Sequence, residues 1–250
     1  MAFVVVIPAR YQSLRLPGKP LLDLAGKPML LHVVARAQAS GASAVHVATD
    51  DARIQALCTE AGVSVCMTDP AHTSGTDRCA EVARRLGLAD DAIVVNVQGD
   101  EPLIPPAVID QVATDLASRP ETGICTLYTP VTDATEFHDP NAVKLVTAAD
   151  GRVLYFSRAP IPWPREGLGP ASLALVKRHV GLYAYRVSVL QAFVSWPPSP
   201  LEEHEKLEQL RAMHHGIAIH AAQCCTPMPP GVDTEADLAH LRRLLQEQDL

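Results

Sequence analysis

Near the start of the chain, Phe3-Val4-Val5-Val6-Ile7-Pro8 form an apolar run that ends at Arg10. A run this short and rich in β-branched residues reads as a buried strand. Pro28 at a first helical position, followed by Leu30, Leu31, Val34 and Ala37 at helical spacing, predicts a helix reaching Ser40 and Gly41. The unit then repeats. Strands are predicted over 45–48, 63–67 and 92–97, and helices over 52–61 and 75–86, closed by Gly62 and Gly87. The fourth strand runs into Gln98-Gly99-Asp100-Glu101-Pro102, and the next helix begins near Pro105 and Pro106. Such alternation predicts the α/β class: a doubly wound, mostly parallel sheet with right-handed crossovers. With strand order 3-2-1-4, the loops after the first and fourth strands flank the point of reversal, and residues 10–19 and 98–101 face one crevice.

Beyond residue 122 the pattern changes. Strand-like runs over 123–130, 142–148, 153–156 and 176–186 follow one another with few helices between, which predicts a smaller mixed or antiparallel subregion. The stretch 159–171 is rich in Pro and Gly and reads as a lid or a subunit-contact arm. Helices are expected over 188–194 and 201–214, then a strand over 217–222 and a closing helix after Thr234, capped by Thr234 and Asp237. The expected organisation is a single domain over 1–250: a nucleotide half over 1–122, the mixed subregion over 123–222, and a closing segment over 223–250.

Composition narrows the partners. In a chain of 250 residues, 48% hydrophobic and 20% charged, a full core can be buried. A net charge of −7 argues against a nucleic-acid or anionic-membrane surface, so the expected partner is a small, locally bound anion. The run 3–8 follows no basic segment and is too short for a signal sequence or a membrane span, giving a cytoplasmic expectation. The six cysteines, without paired Cys-x-x-Cys spacing, read as reduced filler.

Within that frame the first loop carries Arg10, Arg15 and Lys19, and no acid precedes Asp23 to offset them. Polyphosphate is the ligand such a loop suits, with arginine forks on phosphate oxygens and Lys19 following charge onto a leaving group. Leu16-Pro17-Gly18-Lys19-Pro20 is not a P-loop, because the Gly-x-x-x-x-Gly-Lys-Ser/Thr spacing is missing. Asp100, at the end of a strand in the crevice, is the expected Mg²⁺ ligand, and Asp233 is the candidate second carboxylate. A cap on the last helix accounts for Asp233 equally well.

Pro8-Ala9-Arg10, the Leu16 to Pro20 element, Ser74-Gly75-Thr76-Asp77-Arg78, Asn96-Val97-Gln98-Gly99-Asp100-Glu101-Pro102, Tyr155-Phe156-Ser157-Arg158, the stretch 178–186, Leu207-Glu208-Gln209-Leu210-Arg211 and Gly231-Val232-Asp233 together resemble the 3-deoxy-manno-octulosonate (Kdo) cytidylyltransferases, or CMP-Kdo synthetases. The resemblance spans nearly the whole chain. It implies that CTP is bound by Pro8, Ala9, Arg10, Gly75, Arg78 and Gln98, with Arg10, Arg15 and Lys19 on the triphosphate. It implies Mg²⁺ on Asp100 and Asp233, and a sugar-acid site from Gln98, Arg158, His179, Tyr183, Tyr185, Glu208 and Gln209. Arg15, Lys19, Asp100 and Asp233 are its expected catalytic set. Each sugar-site residue has a plainer reading: Tyr183 and Tyr185 as half-buried strand residues, His179 as a solvated strand end, and Glu208 and Gln209 on the polar face of an amphipathic helix. Leu14 stands where the family more often has a small hydroxyl residue, and Asp77 where it more often has Glu.

The reaction this implies is in-line attack of the Kdo C2 hydroxyl on the α-phosphorus of CTP, giving CMP-Kdo for lipopolysaccharide biosynthesis and pyrophosphate. Activation of another acidic sugar, such as a sialic-acid-like nonulosonate, uses the same chemistry. A glycosyltransferase is a further alternative, but Gly99-Asp100-Glu101-Pro102 lacks the Asp-x-Asp metal motif. A nucleotide sensor without catalysis fits poorly with a full set of Arg15, Lys19, Asp100 and Asp233. By analogy with the family the expected assembly is a homodimer.

Overall fold

The structure, a computed structural model, describes residues 2–12 and 16–248. The first apolar run forms β1 (Phe3–Pro8). Next comes a hairpin that the sequence pattern did not disclose, β2 (Asp23–Leu24) and β3 (Lys27–Pro28), because two-residue strands carry no readable period. Its turn residues Ala25 and Gly26 take φ of 52° and 79°, as a two-residue hairpin turn requires. Pro28 then precedes α1 (Met29–Gln38) as its cap rather than opening it. The repeating units follow close to their expected spans: β4 (Ala44–Thr49), α2 (Ala52–Glu60), β5 (Val65–Met67), α3 (Gly75–Arg85), β6 (Ile93–Asn96) and α4 (Pro106–Ala117).

The second half gives β7 (Ile124–Pro130), α5 (Ala134–His138), β8 (Lys144–Thr147), β9 (Val153–Ser157), α6 (Pro170–Leu173), β10 (Lys177–Arg186) and α7 (Val187–Ser195). After these come α8 (Pro200–Glu205), α9 (Gln209–His214), β11 (Ile219–Gln223) and α10 (Glu235–Gln248). The main sheet runs β11-β7-β10-β6-β1-β4-β5, and its last four strands reproduce the expected 3-2-1-4 order in reverse. β6, β1, β4 and β5 pair in parallel, while β10 enters antiparallel between β6 and β7. The mixed subregion is thus continuous with the parallel half, and β8 and β9 extend it from β10.

Alternation along the strands splits the core into two layers. Val5, Ile7 and Val95 face Leu30, Val34, Ile54 and Val112, whereas Val6 and Val94 face Cys79, Val82, Leu190 and Phe193. Each fully buried Val, Leu or Ile contributes about 1.5–3 kcal/mol relative to exposure, so both sheet faces hold the strand ends in fixed register. A third cluster of Leu24, Met29, Val232, Leu238 and Leu241 seats α10 over the β2–β3 hairpin, and Arg242 donates from Nη2 to the Asp23 carbonyl at 2.7 Å.

The single helix expected over 201–214 is two helices. Lys206 takes a left-handed φ of 52° and ends α8. The freed carbonyls of Glu205 and Lys206 accept from Nε and Nη2 of Arg158, which compensates the break. Arg211 of α9 pairs with Glu202 of α8 and closes the angle between the two helices. Glu208 consequently turns inward, and its Oε1 is buried, so the solvent-exposed reading is overturned.

Candidate active site

Backbone contact brings the two strand-end loops together. A Cβ on Gly99 would stand 2.9 Å from the Pro8 carbonyl oxygen, so the loop after β6 approaches the end of β1 as closely as only glycine allows. Gly75 packs in the same way on the Pro8 ring, 3.3 Å from Cγ. Ser74 and Asp77 form a reciprocal capping box at the start of α3, so Asp77 reaches far enough despite its short side chain. A cleft of about 280 Å³ opens between these elements, lined by Pro8, Ala9, Arg10, Lys19, Gly75 and Gln98 together with Asp100 and Asp233.

At its floor Lys19 Nζ donates to Asp100 Oδ2 at 2.8 Å, to Asp233 Oδ1 at 3.1 Å and to the Val232 carbonyl. All three ammonium hydrogens have acceptors. Val232 N–H donates in turn to the Asp100 carbonyl at 2.9 Å, which clips the segment 231–233 onto the loop after β6. The start of α10 is capped by Thr234 and Asp237, which exchange bonds of 2.8 and 3.2 Å. Asp233 is therefore not the cap, and its carboxylate faces Lys19.

Asp100 and Asp233 also border a larger cleft of about 760 Å³, whose other walls include Glu101, Asp139, Asn141, Arg178 and His179. The ion-paired centre thus lies where the two clefts meet. Glu101 is the residue that motif reading passed over. Its Oε2 is buried without a hydrogen-bond partner among the described residues, and burial, reinforced by the Asp100 carboxylate, lifts the group to about 7. An acid in the otherwise apolar passage toward Pro102 and Ile104 was the available signal.

The sequence-expected sugar residues divide. His179 lines the large cleft, and burial together with the Arg178 cation holds its imidazole down to about 3, so the ring is neutral. Thr126 Oγ1 has its one hydrogen for the Val180 or Leu182 carbonyl, so His179 Nε2 donates to Oγ1 at 3.0 Å and Nδ1 is left an acceptor. The solvated strand-end reading of His179 does not hold. The rings of His179, Tyr183 and Tyr185 follow one another in tilted contact, with centroids 5.2 and 5.7 Å apart, and both tyrosines are buried. Burial first, and then neighbouring Tyr185 for one and Glu208 for the other, pushes both phenols well above their ordinary value. Glu208 accepts from Thr76 Oγ1 at 2.9 Å, and burial raises its carboxyl. Gln209 opens α9 and is half-buried.

Two expected ligand-binding side chains stand apart from the centre. Arg78 is fully buried, bonded to Thr68 and to Asp50 at 2.8 Å, and is not among the residues lining either cleft. Arg158 donates from three of its N–H groups to the carbonyls of Pro140, Glu205 and Lys206, so it clamps backbone segments. Arg15, like Leu14, lies outside the described residues.

For Mg²⁺ the donor set is suitable: two carboxylates converge on one cationic point beside a cleft, and magnesium completes such a set with phosphate oxygens and water. Among the described residues no group of three or more His, Cys, Asp or Glu side chains has the placement of an all-protein metal cage. No helix among them is long and apolar enough to cross a membrane.

A family model described as cytidylyltransferase matches residues 4–219. The chain is 56% identical over 252 residues to 3-deoxy-manno-octulosonate cytidylyltransferase of Cellvibrio japonicus (strain Ueda107), covering 98% of this chain and 99% of that protein. It is 54% identical over 256 residues to the protein of the same name from Nitrosococcus oceani, covering 100% and 98%. Among solved structures it is similar to CMP:2-keto-3-deoxy-manno-octonic acid synthetase complexed with CTP, with a TM-score of 0.91, 44% identity and 99% of each chain covered. Likeness to 4-diphosphocytidyl-2C-methyl-D-erythritol synthase, with a TM-score of 0.65 at 15% identity over 98% and 100% of the two chains, concerns the fold alone.

Proposed function

The chain belongs to the family of 3-deoxy-manno-octulosonate cytidylyltransferases, and from that premise we infer how its site works. It activates Kdo with CTP to give CMP-Kdo and pyrophosphate. The observation that carries the residue-level reading is the convergence of Lys19, Asp100 and Asp233 at the junction of the two clefts. CTP occupies the smaller cleft, with Pro8, Ala9, Gly75 and Gln98 around the cytidine and Arg10 on the phosphates. The sugar acid lies on the other side of the junction, with Tyr183, Tyr185, His179, Glu208 and Gln209 toward its hydroxyls.

In the reaction the C2 hydroxyl oxygen of Kdo forms a bond to the α-phosphorus as the bridge to the β-phosphate breaks, and its proton passes to solvent. Lys19 is placed to follow charge onto the departing pyrophosphate, and Arg10 to fork across phosphate oxygens. Asp100 and Asp233 would hold Mg²⁺, which when bound would offset charge on the α-phosphate and acidify the attacking hydroxyl. Neutral His179 serves as a hydrogen-bond partner for a hydroxyl, while Arg178, the cation of the large cleft, is paired with Glu136 at 2.8 Å and turns to a sugar carboxylate by exchanging that partner. Arg78 and Arg158 act as braces for α3 and for the α8–α9 corner.

The arm after β9 exposes Trp163 at 70% and Leu175 at 67%, and Leu154 of β9 is 49% exposed. These apolar surfaces support a homodimer, checked by light scattering of the wild type against Trp163→Ser. We further place the enzyme in the cytoplasm, supplying lipopolysaccharide biosynthesis, as one domain with a nucleotide half over 1–122. Incubation with CTP, Mg²⁺ and Kdo is expected to yield equal amounts of pyrophosphate and CMP-Kdo. Absence of both products, or faster turnover of a sialic-acid-like sugar, would overturn the assignment.

A further inference from the structure

β6 is apolar except at its last residue. Ile93, Val94 and Val95 are buried, and Val97 beyond the strand is buried too, but between them stands Asn96, only 2% exposed. Its Oδ1 is buried and has no hydrogen-bond partner among the described residues. Burying an amide oxygen unpaired is costly, and valine at this position would continue the core without that cost.

The direction of the side chain follows from strand geometry. Val94, two residues earlier, packs with Val6 and Tyr185, so Asn96 points to that same face. Tyr183 stands opposite it on β10. A Cβ on Gly75 would lie 3.9 Å from Asn96 Nδ2, so the amide sits directly behind the glycine that forms part of the nucleotide cleft wall. A second unpaired acceptor borders the same place. Glu208 Oε2 is bonded to Thr76, the residue after Gly75, while Oε1 is buried without a hydrogen-bond partner among the described residues.

Two buried acceptors that flank the first residues of α3 match a ligand bearing hydroxyl donors. Both substrates carry them, on the ribose of CTP and on the sugar acid. We propose that Asn96 Oδ1 accepts a hydrogen bond from a substrate hydroxyl and is a specificity-determining residue of the reaction, with Glu208 Oε1 as the neighbouring acceptor. This rests on the cytidylyltransferase reading above and adds to it a role for Asn96, which the sequence motif contains without one and which neither cleft lining includes.

The test compares substrates lacking one hydroxyl: 2′-deoxy-CTP and 3′-deoxy-CTP on one arm, and single-deoxy Kdo analogues on the other. In the wild type, one analogue is expected to lose on the order of 10- to 100-fold in kcat/KM, because its absence leaves the buried acceptor unpaired. In Asn96→Ala, kcat/KM for the full substrate falls by a similar factor and removing that same hydroxyl costs less than about threefold. Asn96→Asp, which keeps an acceptor, recovers part of the loss. The arm that responds identifies ribose or sugar as the source. A folded Asn96→Ala that discriminates among the analogues as the wild type does overturns the proposal. Should that variant not fold, the wild-type panel decides alone: no analogue losing more than about threefold overturns it. A wild type that releases no pyrophosphate from CTP and Kdo instead defeats the parent reading, a result distinct from intact turnover with unaltered discrimination.

Discussion

Lys19 Nζ lies 2.8 Å from Asp100 Oδ2, although 81 residues separate them in the chain. One follows β1 and the other follows β6, and the parallel pairing of those strands with Val6 opposite Asn96 sets both loops at one sheet edge. The cationic loop and the acidic loop therefore form one site, in which the lysine side chain is 12% exposed and the aspartate 34%. A phosphate ligand entering here meets a cation already oriented by two carboxylates.

Lys19→Met is expected to lower kcat by roughly 10²- to 10³-fold, the range found when one pre-oriented donor is removed from a site of developing charge. Pyrophosphate release at saturating CTP and Kdo measures it. The fold should persist, because Leu24, Met29 and Val232 pack without the ammonium. A variant with more than half of wild-type kcat would detach Lys19 from the leaving-group step.

Asp100→Asn keeps the volume and removes the charge. Turnover is expected to fall by orders of magnitude with little change in melting temperature, and chelation of Mg²⁺ should abolish wild-type turnover reversibly. An unchanged rate at saturating Mg²⁺ would remove Asp100 from the mechanism.

Gly99→Ala places a methyl 2.9 Å from the Pro8 carbonyl, and neither partner is a flexible side chain. The loop after β6 must move away from β1, at a cost of about 1–3 kcal/mol. The expected result is a several-fold higher KM for CTP together with a lower denaturant midpoint. Equal KM values for the two proteins would contradict a shared wall built from these loops.

His179 sets a pH dependence. The unfolded chain takes a proton on this residue near pH 6.5, whereas burial beside Arg178 holds the folded site down to about 3. Between those limits the unfolded state binds more protons, so stability is complete above pH 6.5 and declines as the solution is acidified. At pH 5 the loss from this residue is about 1–2 kcal/mol. His179→Gln should therefore show a flatter profile of unfolding free energy from pH 7.5 to 5, and a profile parallel to wild type would refute the assignment.

Much of this architecture was legible because local pattern and tertiary role agree in the first 122 residues. The runs around Val5, Val47 and Val95 are strands buried on both faces, and Gly62 and Gly87 stop helices by their positive φ. Lys206 was not legible, since nothing in a lysine announces a left-handed backbone, and that one residue decides whether Glu208 faces water or the interior. The seat of β10 between β6 and β7 was hidden as well, because an antiparallel insertion depends on packing partners far along the chain. Lys19, Asp100 and Asp233, singled out by charge and position, are brought together by the fold. Asn96 drew no role from the sequence, because its unpaired oxygen shows only in coordinates, while the signal at Glu101, an acid leading into an apolar passage, went unused.

The bond from Val232 N–H to the Asp100 carbonyl has a consequence for synthesis of the chain. Lys19 and Asp233 are 214 residues apart, so a ribosome has finished every strand of the sheet before it releases the second carboxylate. A nascent chain halted before residue 231 could assemble the sheet yet would lack one wall of its reaction centre. The Lys19–Asp233 pair therefore forms only after β11 has been made, later than the strand pairing that sets the two loops side by side.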